Sequence, residues 1–208
     1  MFIDPQNTPG FRRSIFNAIV APRPIGWIST LAEGGRANLA PFSQFNLVST
    51  SPPVVMFACN TPPDRAEKDT LTNVRASGEF VVNLVSWELR EAMVLTSTPL
   101  PHGADEFELA GLQKADSVMV RAPRVAASPA NLECRVLRIV GIEPEFEGET
   151  PSAVVLGRVL GLHIRDGYID GDGRFDTVKA RPATRLGGNY YATLGEVTEM
   201  PAPFTRAP

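Results

Sequence analysis

Nineteen prolines and seventeen glycines are spread along the whole of this 208-residue chain. Proline removes a backbone donor and glycine adds backbone freedom, so both residues interrupt helices at a cost of about 1 to 3 kcal/mol each. The intervals between them hold runs of β-branched and aromatic residues, which favour short strands bounded by turns. The chain is therefore predicted to be mainly β.

Three of these runs are predicted strands, at residues 25–31, 54–59 and 80–85. A fourth, at residues 132–136, alternates apolar with polar side chains, so one of its faces is expected to be wet. The alternation slips by one residue at Leu137, which indicates a β-bulge.

The longest strand candidate covers residues 153–165. Counting by twos places His163 on the same face as Gly157 and Gly161, where the missing side chains leave room for a close approach. Two interpretations of His163 follow. It contacts a ring or cofactor on this face, or it is a structural residue hydrogen-bonded to a neighbour.

Only two short helices are predicted. Residues 70–76 end at Gly78, a typical C-cap, and residues 87–95 follow Ser86 as N-cap with apolar side chains along one face. Many strands, two short helices and no regular βαβ alternation predict a single domain over residues 1–208, a mainly β barrel with helical insertions.

Charge and composition exclude several classes of function. A net charge of -3 and a pI near 5.5 disfavour nucleic acid as the main partner. No apolar run approaches the roughly 18 residues that cross a bilayer, and the first residues lack a signal-peptide pattern, so no membrane association is expected. With only Cys59, Cys134 and two histidines, neither a disulfide framework nor a metal site is expected, and the cytoplasm is the expected compartment.

The sharpest local signal for a binding site is the segment at residues 68–73. If Asp69 or Thr70 is the N-cap, the amides of the first helical turn point outward without partners. A helix N-terminus beside Lys68 and a hydroxyl suits a phosphate monoester, and Arg65 supplies a second cation. The alternative is an ordinary capped helix with a solvated cluster of charges.

Residues 38–46 lie between two predicted strands but are small, polar and interrupted by proline, so they are predicted to form a loop. The amides of Asn38 and Asn46, the Ser43 hydroxyl and the backbone N–H groups suit edge hydrogen bonds to a flat heteroaromatic ligand. The alternative is a turn that merely links strands. Cys59, at the end of an apolar strand, is expected to behave as a small hydrophobe.

Several catalytic signatures are absent from the sequence. It has no Gly-x-Gly-x-x-Gly after a strand, no P-loop and no Gly-x-Ser-x-Gly elbow. Asp170 and Asp172 are paired acids, but turn chemistry explains them. No catalytic side chain is therefore predicted, and a bound cofactor would account for the chemistry.

Seven motifs occur in a fixed order between about residues 10 and 195. They are Arg23-Pro24-Ile25-Gly26-Trp27-Ile28-Ser29-Thr30, Asn38-Leu39-Ala40-Pro41-Phe42-Ser43, Ser51-Pro52-Pro53, Lys68-Asp69-Thr70-Leu71-Thr72-Asn73, Glu79-Phe80-Val81-Val82-Asn83, Leu156-Gly157-Arg158-Val159 with His163, and Arg185-Leu186-Gly187-Gly188-Asn189-Tyr190-Tyr191. In this order they resemble the flavin reductase-like family of FMN-binding split-barrel proteins. Only the Pro-rich tail at residues 200–203 departs from the family's pattern.

The resemblance implies a homodimeric Greek-key split β-barrel that binds FMN near the subunit interface. It also implies hydride transfer from NADH or NADPH to flavin, often to supply reduced flavin to a partner monooxygenase. Two alternatives keep the same fold: a flavin-bearing electron-transfer protein, and a non-enzymatic module that holds FMN or another planar ligand.

The resemblance also implies roles for individual residues. Residues 38–46 would line the isoalloxazine ring, with Ser43 and Asn46 as polar contacts. Lys68 and Thr70 would hold the phosphate. The complete set of expected FMN-binding residues is Asn38, Ala40, Pro41, Phe42, Ser43, Asn46, Cys59, Asn60, Arg65, Lys68, Asp69, Thr70, His163, Arg185 and Tyr191.

Overall fold

The computed structural model of the chain describes residues 2–7, 13–62 and 64–201. Residues 202 and 203 of the Pro-rich tail lie outside this range. The elements, in chain order, are α1 (Arg13–Ile19), β1 (Arg23–Pro24), β2 (Gly26–Leu31), β3 (Ala37–Phe42), β4 (Phe45–Thr50), β5 (Pro53–Asn60), α2 (Asp69–Ser77), β6 (Glu79–Leu84), a 3₁₀ turn (Trp87–Leu89), α3 (Arg90–Leu95), α4 (Glu106–Leu109), β7 (Lys114–Ala115), β8 (Arg124–Val125), β9 (Ala130–Ile142), β10 (Ser152–Ile164), α5 (Thr177–Ala180), β11 (Thr184–Arg185) and β12 (Tyr191–Ala192).

Seven antiparallel strands form the main sheet, in the order β3-β2-β6-β9-β10-β5-β4. Its two edge strands, β3 and β4, are consecutive in the chain and are joined by residues 43 and 44 alone. The sheet must therefore curl until its edges approach each other, although β3 and β4 are not hydrogen-bonded neighbours. The result is a barrel that stays open between β3 and β4, which confirms the predicted mainly β split barrel with short helical insertions.

The three main strand predictions are each correct to within one residue at either end, as β2, β5 and β6. Residues 38–46, predicted as a loop, are instead most of β3, a two-residue turn and the start of β4. Pro41 lacks an N–H, but an edge strand tolerates this because one side of its ladder has no partner. The predicted helix at residues 87–95 is a 3₁₀ turn followed by α3.

Aromatic rings fill the interior of the barrel. The Phe57 ring lies 5.1 Å from the Phe42 ring and 5.2 Å from the Phe80 ring, between centroids. A Cβ on Gly157 would lie 2.2 Å from Cζ of Phe80, so glycine at this position makes room for that ring. The prediction that Gly157 leaves a face open to a ligand is therefore wrong.

A second apolar cluster covers the outer surface of β2 and β3. Trp27 and Leu39 pack there with Met93 of α3 and Phe107 of α4, and all four side chains are fully or almost fully buried. This packing holds the segment between α3 and α4 against β3. It thereby brings residues 96–106 to the start of α2.

Helix α2 ends as predicted at Gly78, whose φ is 70° and whose N–H donates to the Val74 carbonyl. Its N-cap position is Lys68, without a side-chain cap, so the prediction of Asp69 or Thr70 as N-cap is wrong. The side chains of Asp69 and Thr70 are instead engaged by other segments of the chain.

Strands β9 and β10 pair with two register shifts. The first leaves Leu137 as an extra residue, which confirms the predicted bulge. The second leaves Leu160 as an extra residue, because Val159 pairs with Cys134 and Gly161 with the adjacent Glu133. The alternation therefore reverses at Leu160, and the prediction that His163 shares a face with Gly157 is wrong.

Across the described residues, no helix is both long and apolar enough to span a lipid bilayer.

Candidate functional site

Two clefts lie next to each other at the opening of the barrel, and Pro41 and Lys68 line both of them. The first, here called the helix-terminus pocket, has a volume of about 340 Å³ and lies between β3, the start of α2 and residues 96–100. The second, called the arginine pocket, has a volume of about 360 Å³ and lies among α1, β1, the β3–β4 turn and β11. The two pockets therefore adjoin each other at Pro41 and Lys68.

The two pockets bring together most of the residues predicted from the sequence. Those lining the helix-terminus pocket are Asn38, Ala40, Pro41, Arg65, Lys68, Asp69 and Thr70. Those lining the arginine pocket are Pro41, Phe42, Ser43, Asn60, Lys68 and Arg185.

Hydrogen-bond donors converge at the start of α2. The Thr70 hydroxyl accepts a hydrogen bond from Nδ2 of Asn38 at 2.9 Å, so its own proton remains available to another acceptor. The N–H groups of Leu71 and Thr72 both donate to the Lys68 carbonyl. Those of Asp69 and Thr70 have no acceptor among the described residues, as expected for the first turn of a helix. Two amides and one hydroxyl thus form a donor set for an anion.

Asp69 and Arg65 shape the wall of this pocket. The Asp69 carboxylate accepts hydrogen bonds from Nδ1 of His102 at 2.9 Å and from the N–H of Gly103 at 3.1 Å. Burial raises the pKa of Asp69, but these hydrogen bonds and the positive charge of Arg65 outweigh burial and hold the pKa below its usual value. Arg65 also pairs with Asp64 at 3.0 Å, so nearby carboxylates offset most of its charge.

Glu106 lines the same pocket and was not predicted from the sequence. Its Oε2 accepts the Leu39 N–H at 2.9 Å, and burial raises the pKa of its carboxyl group. Thr96, Ser97 and Thr98 lie on the same wall. No local motif marks these residues, because only the packing of α3 and α4 on the outer surface of β3 brings them to the site.

The arginine pocket is polar and cationic. The Arg23 guanidinium donates to the carbonyls of Asn17, Val20 and Leu186, and its Nε is buried without a partner among the described residues. Burial lowers the pKa of Arg23, and the positive charge of Arg185 lowers it further. The sequence signal that could have marked Arg23 is an arginine set between two prolines where a strand begins.

Arg185 is held in place by Gly188, in the turn between β11 and β12, and by Tyr191 of β12. Its guanidinium donates to the Gly188 carbonyl and the Tyr191 hydroxyl, and it lies 4.5 Å from the centroid of the Tyr191 ring. Tyr191 thus positions Arg185 and does not itself line either pocket.

Lys68 stands at the boundary between the pockets. Its Nζ lies 5.1 Å from the centroid of the Phe42 ring, and it forms no ion pair with a described carboxylate. One cation is therefore available to a ligand in either pocket.

Three further predicted residues also lie outside both pockets. Asn46 is exposed, and its Oδ1 accepts the N–H of Leu47. Cys59 is buried in the barrel interior, and burial raises its pKa to about 12, so its thiol stays neutral. The third is His163, and the contact of Asn46, Cys59 and His163 with a ligand remains a prediction.

His163 donates a hydrogen bond from Nε2 to Oε1 of Glu133, a fully buried carboxylate. Glu133 also accepts the N–H groups of Val118, Met119 and Val120. Burial raises the pKa of Glu133, but these hydrogen bonds outweigh burial and lower it overall. This arrangement matches the structural interpretation of His163.

Within residues 2–7, 13–62 and 64–201, no group of three or more histidine, cysteine, aspartate or glutamate side chains comes together as a set of metal ligands.

Comparison with known proteins agrees with this architecture. Residues 20–179 match the model of the flavin reductase like domain. An uncharacterized protein of Aquifex aeolicus is 40% identical over 173 residues, which cover 83% of this chain and 85% of that protein. Among solved structures, nitrilotriacetate monooxygenase component B from Bacillus cereus superposes with a TM-score of 0.88 at 28% identity, covering 96% of this chain and 98% of that one. The 2-nitrobenzoate 2-nitroreductase of Pseudomonas fluorescens superposes with a TM-score of 0.84 at 26% identity, covering 98% and 96%.

Proposed function

The chain belongs to the flavin reductase-like domain family, and we propose that it is an oxidoreductase that binds FMN and transfers hydride to it from NADH or NADPH. The observation that carries the proposal is the set of unpartnered donors at the start of α2, next to the uncompensated cation of Lys68. A flavin is the cofactor that the family implies. The particular flavin and the hydride donor are our proposals.

The donor set suits the phosphate monoester of FMN. That group carries nearly two negative charges at neutral pH and offers several acceptor oxygens. The N–H groups of Asp69 and Thr70 and the Thr70 hydroxyl complement it in hydrogen bonding, and the Lys68 ammonium supplies a positive charge in a pocket that Asp64, Asp69 and Glu106 also line. The Asp69 carboxylate is hydrogen-bonded to His102 and Gly103, and α2 has no side-chain cap at its N-cap position.

The isoalloxazine ring would lie along β3 and the β3–β4 turn. Ala40, Pro41 and Phe42 offer an apolar wall that excludes water, and the Ser43 hydroxyl offers a hydrogen bond to a polar ring edge. FMN supplies the hydride-accepting ring when it is bound, so no nucleophilic side chain is needed. The chain's own contribution is to bind the phosphate and to orient the ring.

The absorbance spectrum of the purified chain, before and after FMN is added, tests the binding step. We expect bound flavin absorbance, and anaerobic stopped-flow mixing with NADH or NADPH is expected to bleach it. FMN binding without bleaching would favour the electron-transfer alternative. Failure to take up FMN would contradict the proposal and favour a binding module for another ligand.

We also propose that reduced flavin passes to a separate oxygenase. The support is the similarity to nitrilotriacetate monooxygenase component B, whose name describes one part of a monooxygenase. If reduced flavin is a product, the protein should release it. Anaerobic gel filtration with excess NADH should then separate reduced FMN from the protein, and co-elution would contradict this step.

A cytoplasmic homodimer is the proposed assembly. Its support is the apolar surface left exposed on α1 and β4, where Phe16, Ile19, Leu47 and Val48 are each more than half exposed. Light scattering coupled to gel filtration is expected to give twice the mass of one chain. A monomeric mass at micromolar concentration would contradict the dimer.

A further inference from the structure

We propose that the arginine pocket binds the pyrophosphate of the nicotinamide dinucleotide, a proposal that rests on the hydride transfer proposed above. Three cations, Arg23, Lys68 and Arg185, line this one cleft. No carboxylate is present among its lining residues within the described chain.

None of the three cations forms an ion pair with a described carboxylate, whereas six other arginines do: Arg65, Arg75, Arg90, Arg121, Arg174 and Arg181. Arginines such as Arg124 and Arg165 also lack an ion pair, so the distinguishing feature is that these three cations share one cleft. Like charges placed close together repel each other: burial is the larger cause of the lowered pKa of Arg23, and the positive charge of Arg185 lowers it further. A site with this charge excess is complementary to an anion that carries two or more negative charges.

The two guanidinium groups are fixed before any ligand binds. Backbone carbonyls of Asn17, Val20 and Leu186 hold Arg23, and the Gly188 carbonyl and Tyr191 hydroxyl hold Arg185. Because carbonyls and a hydroxyl hold these side chains without neutralising them, their charge stays available to a ligand. A preorganised cation also loses little side-chain entropy when an anion binds.

The position of the pocket favours the dinucleotide over the flavin as the source of the anion. The flavin phosphate already has a donor set at the start of α2, across Lys68. The arginine pocket borders Phe42 and Ser43, where the flavin ring is proposed to lie. One ribose separates nicotinamide from pyrophosphate, so a nicotinamide stacked on that ring places the pyrophosphate near the ring's edge. NADH and NADPH share this group, so the pocket accepts both.

Isothermal titration of inorganic pyrophosphate into the FMN-saturated protein tests the proposal. We expect saturable binding that weakens as salt is raised. Arg185→Ala should weaken it by about tenfold, the size of one charge-assisted contact, and Arg185→Lys should restore part of the loss. Arg174→Ala, which removes an exposed arginine paired with Asp172, is the matched control and should change nothing.

Two further measurements separate this proposal from its alternatives. The resemblance implies that Arg185 contacts FMN, whereas this proposal assigns it to the dinucleotide, so Arg185→Ala should leave FMN affinity unchanged while KM for NADH and for NADPH rises by a similar factor. If the FMN-saturated protein is bleached by NADH but does not bind pyrophosphate, the inference is overturned while the proposed function stands. If FMN displaces pyrophosphate and Arg185→Ala weakens FMN itself, the pocket holds the flavin phosphate and the inference is again overturned. Failure of the wild-type chain to take up FMN overturns the proposed function, and the dinucleotide assignment with it.

Discussion

Glu133 and the arginine pocket are two charged places in the chain, and their charges are partnered in opposite ways. Glu133 is fully buried, yet three backbone N–H groups and His163 surround its carboxylate. Arg23, Lys68 and Arg185 share a cleft in which no described carboxylate faces them.

The difference separates charge used for folding from charge kept for binding. A buried carboxylate with a complete set of donors holds residues 118–120 against β9 and so stabilises the structure. A cluster of cations without counter-ions costs stability until an anion arrives. Substitution of Glu133 should therefore lower the free energy of unfolding, whereas substitution in the arginine pocket should lower the affinity for a ligand.

Glu133→Ala is expected to cause the largest loss of stability. The change leaves the N–H groups of Val118, Met119 and Val120 without an acceptor, and the free energy of unfolding should fall by about 3 to 5 kcal/mol. Urea denaturation measures the loss. Glu91→Ala is the control, because its exposed ion pair with Arg90 is worth less than about 1 kcal/mol. Equal losses of stability in the two variants would contradict a stabilising role for the buried Glu133 carboxylate.

Lys68→Ala should show the opposite pattern. Because Lys68 has no ion pair with a described carboxylate, the free energy of unfolding should change by less than about 0.5 kcal/mol. FMN binding should weaken by about 1.5 to 3 kcal/mol, the worth of a hydrogen bond to a charged group. Fluorescence titration of FMN, beside urea denaturation, measures both quantities. Unchanged FMN affinity would remove Lys68 from the phosphate site.

Acid should weaken the fold through Glu133. The folded-state pKa of Glu133 lies below the ordinary value of 4.5, so its contribution to stability is present above pH 4.5 and is lost as the pH falls through the lower, folded value. Each pH unit between the two values is worth up to about 1.4 kcal/mol. Thermal unfolding from pH 7 to pH 3 measures the slope. Glu133→Gln should be less stable at pH 7 and should show a shallower slope, whereas a parallel curve would contradict the role of this carboxylate.

Thr70→Ala tests a residue that has a structural hydrogen bond and a proposed role in FMN binding. Loss of the hydroxyl should weaken FMN binding by about 1 kcal/mol or somewhat more. It also removes the acceptor of the Asn38 amide, so the free energy of unfolding should fall by a similar amount. Thr70→Ser keeps the hydroxyl and should preserve both quantities. A stability loss without any change in FMN affinity would reduce Thr70 to a structural residue.

The smallest effect is expected for alkylation of Cys59 in the folded protein. Its buried thiol stays neutral and so needs no partner. Burial raises the pKa of its thiol to about 12, so iodoacetamide at pH 8 should leave it unmodified in the folded protein. Peptide mass spectrometry should find it alkylated only after unfolding in urea. Rapid alkylation of the folded chain would show that the barrel opens at this strand.

The accuracy of the strand predictions has a local cause. Runs such as residues 80–85 carry their own backbone preference, and turn residues bound them in the sequence. The bulge at Leu137 was also visible, because it interrupts a regular alternation. The bulge at Leu160 was not, since leucine and valine occupy both faces there and no alternation exists to be broken. The orientation of His163 was therefore predicted wrongly.

The residues of the candidate site also divide into those that a local sequence signal marks and those that only tertiary packing brings together. Lys68 and Thr70 were recognised because a helix terminus is a feature of a few adjacent residues. Glu106 could not be recognised, because it reaches the pocket only through the packing of α4 on β3. The segment that holds β3 was predicted as a loop, because Pro41 disfavours a strand unless that strand lies at a sheet edge.

The sequence by itself determined the mainly β class, most strand positions, the family and the approximate position of helix α2. Only the tertiary structure decided where the two sheet edges meet and which charges are left without partners. Strand and helix preferences act between neighbours in the chain, whereas counter-ions depend on proximity between distant segments. Arg23 and Leu186 lie far apart in the sequence, and only the folded barrel brings them together.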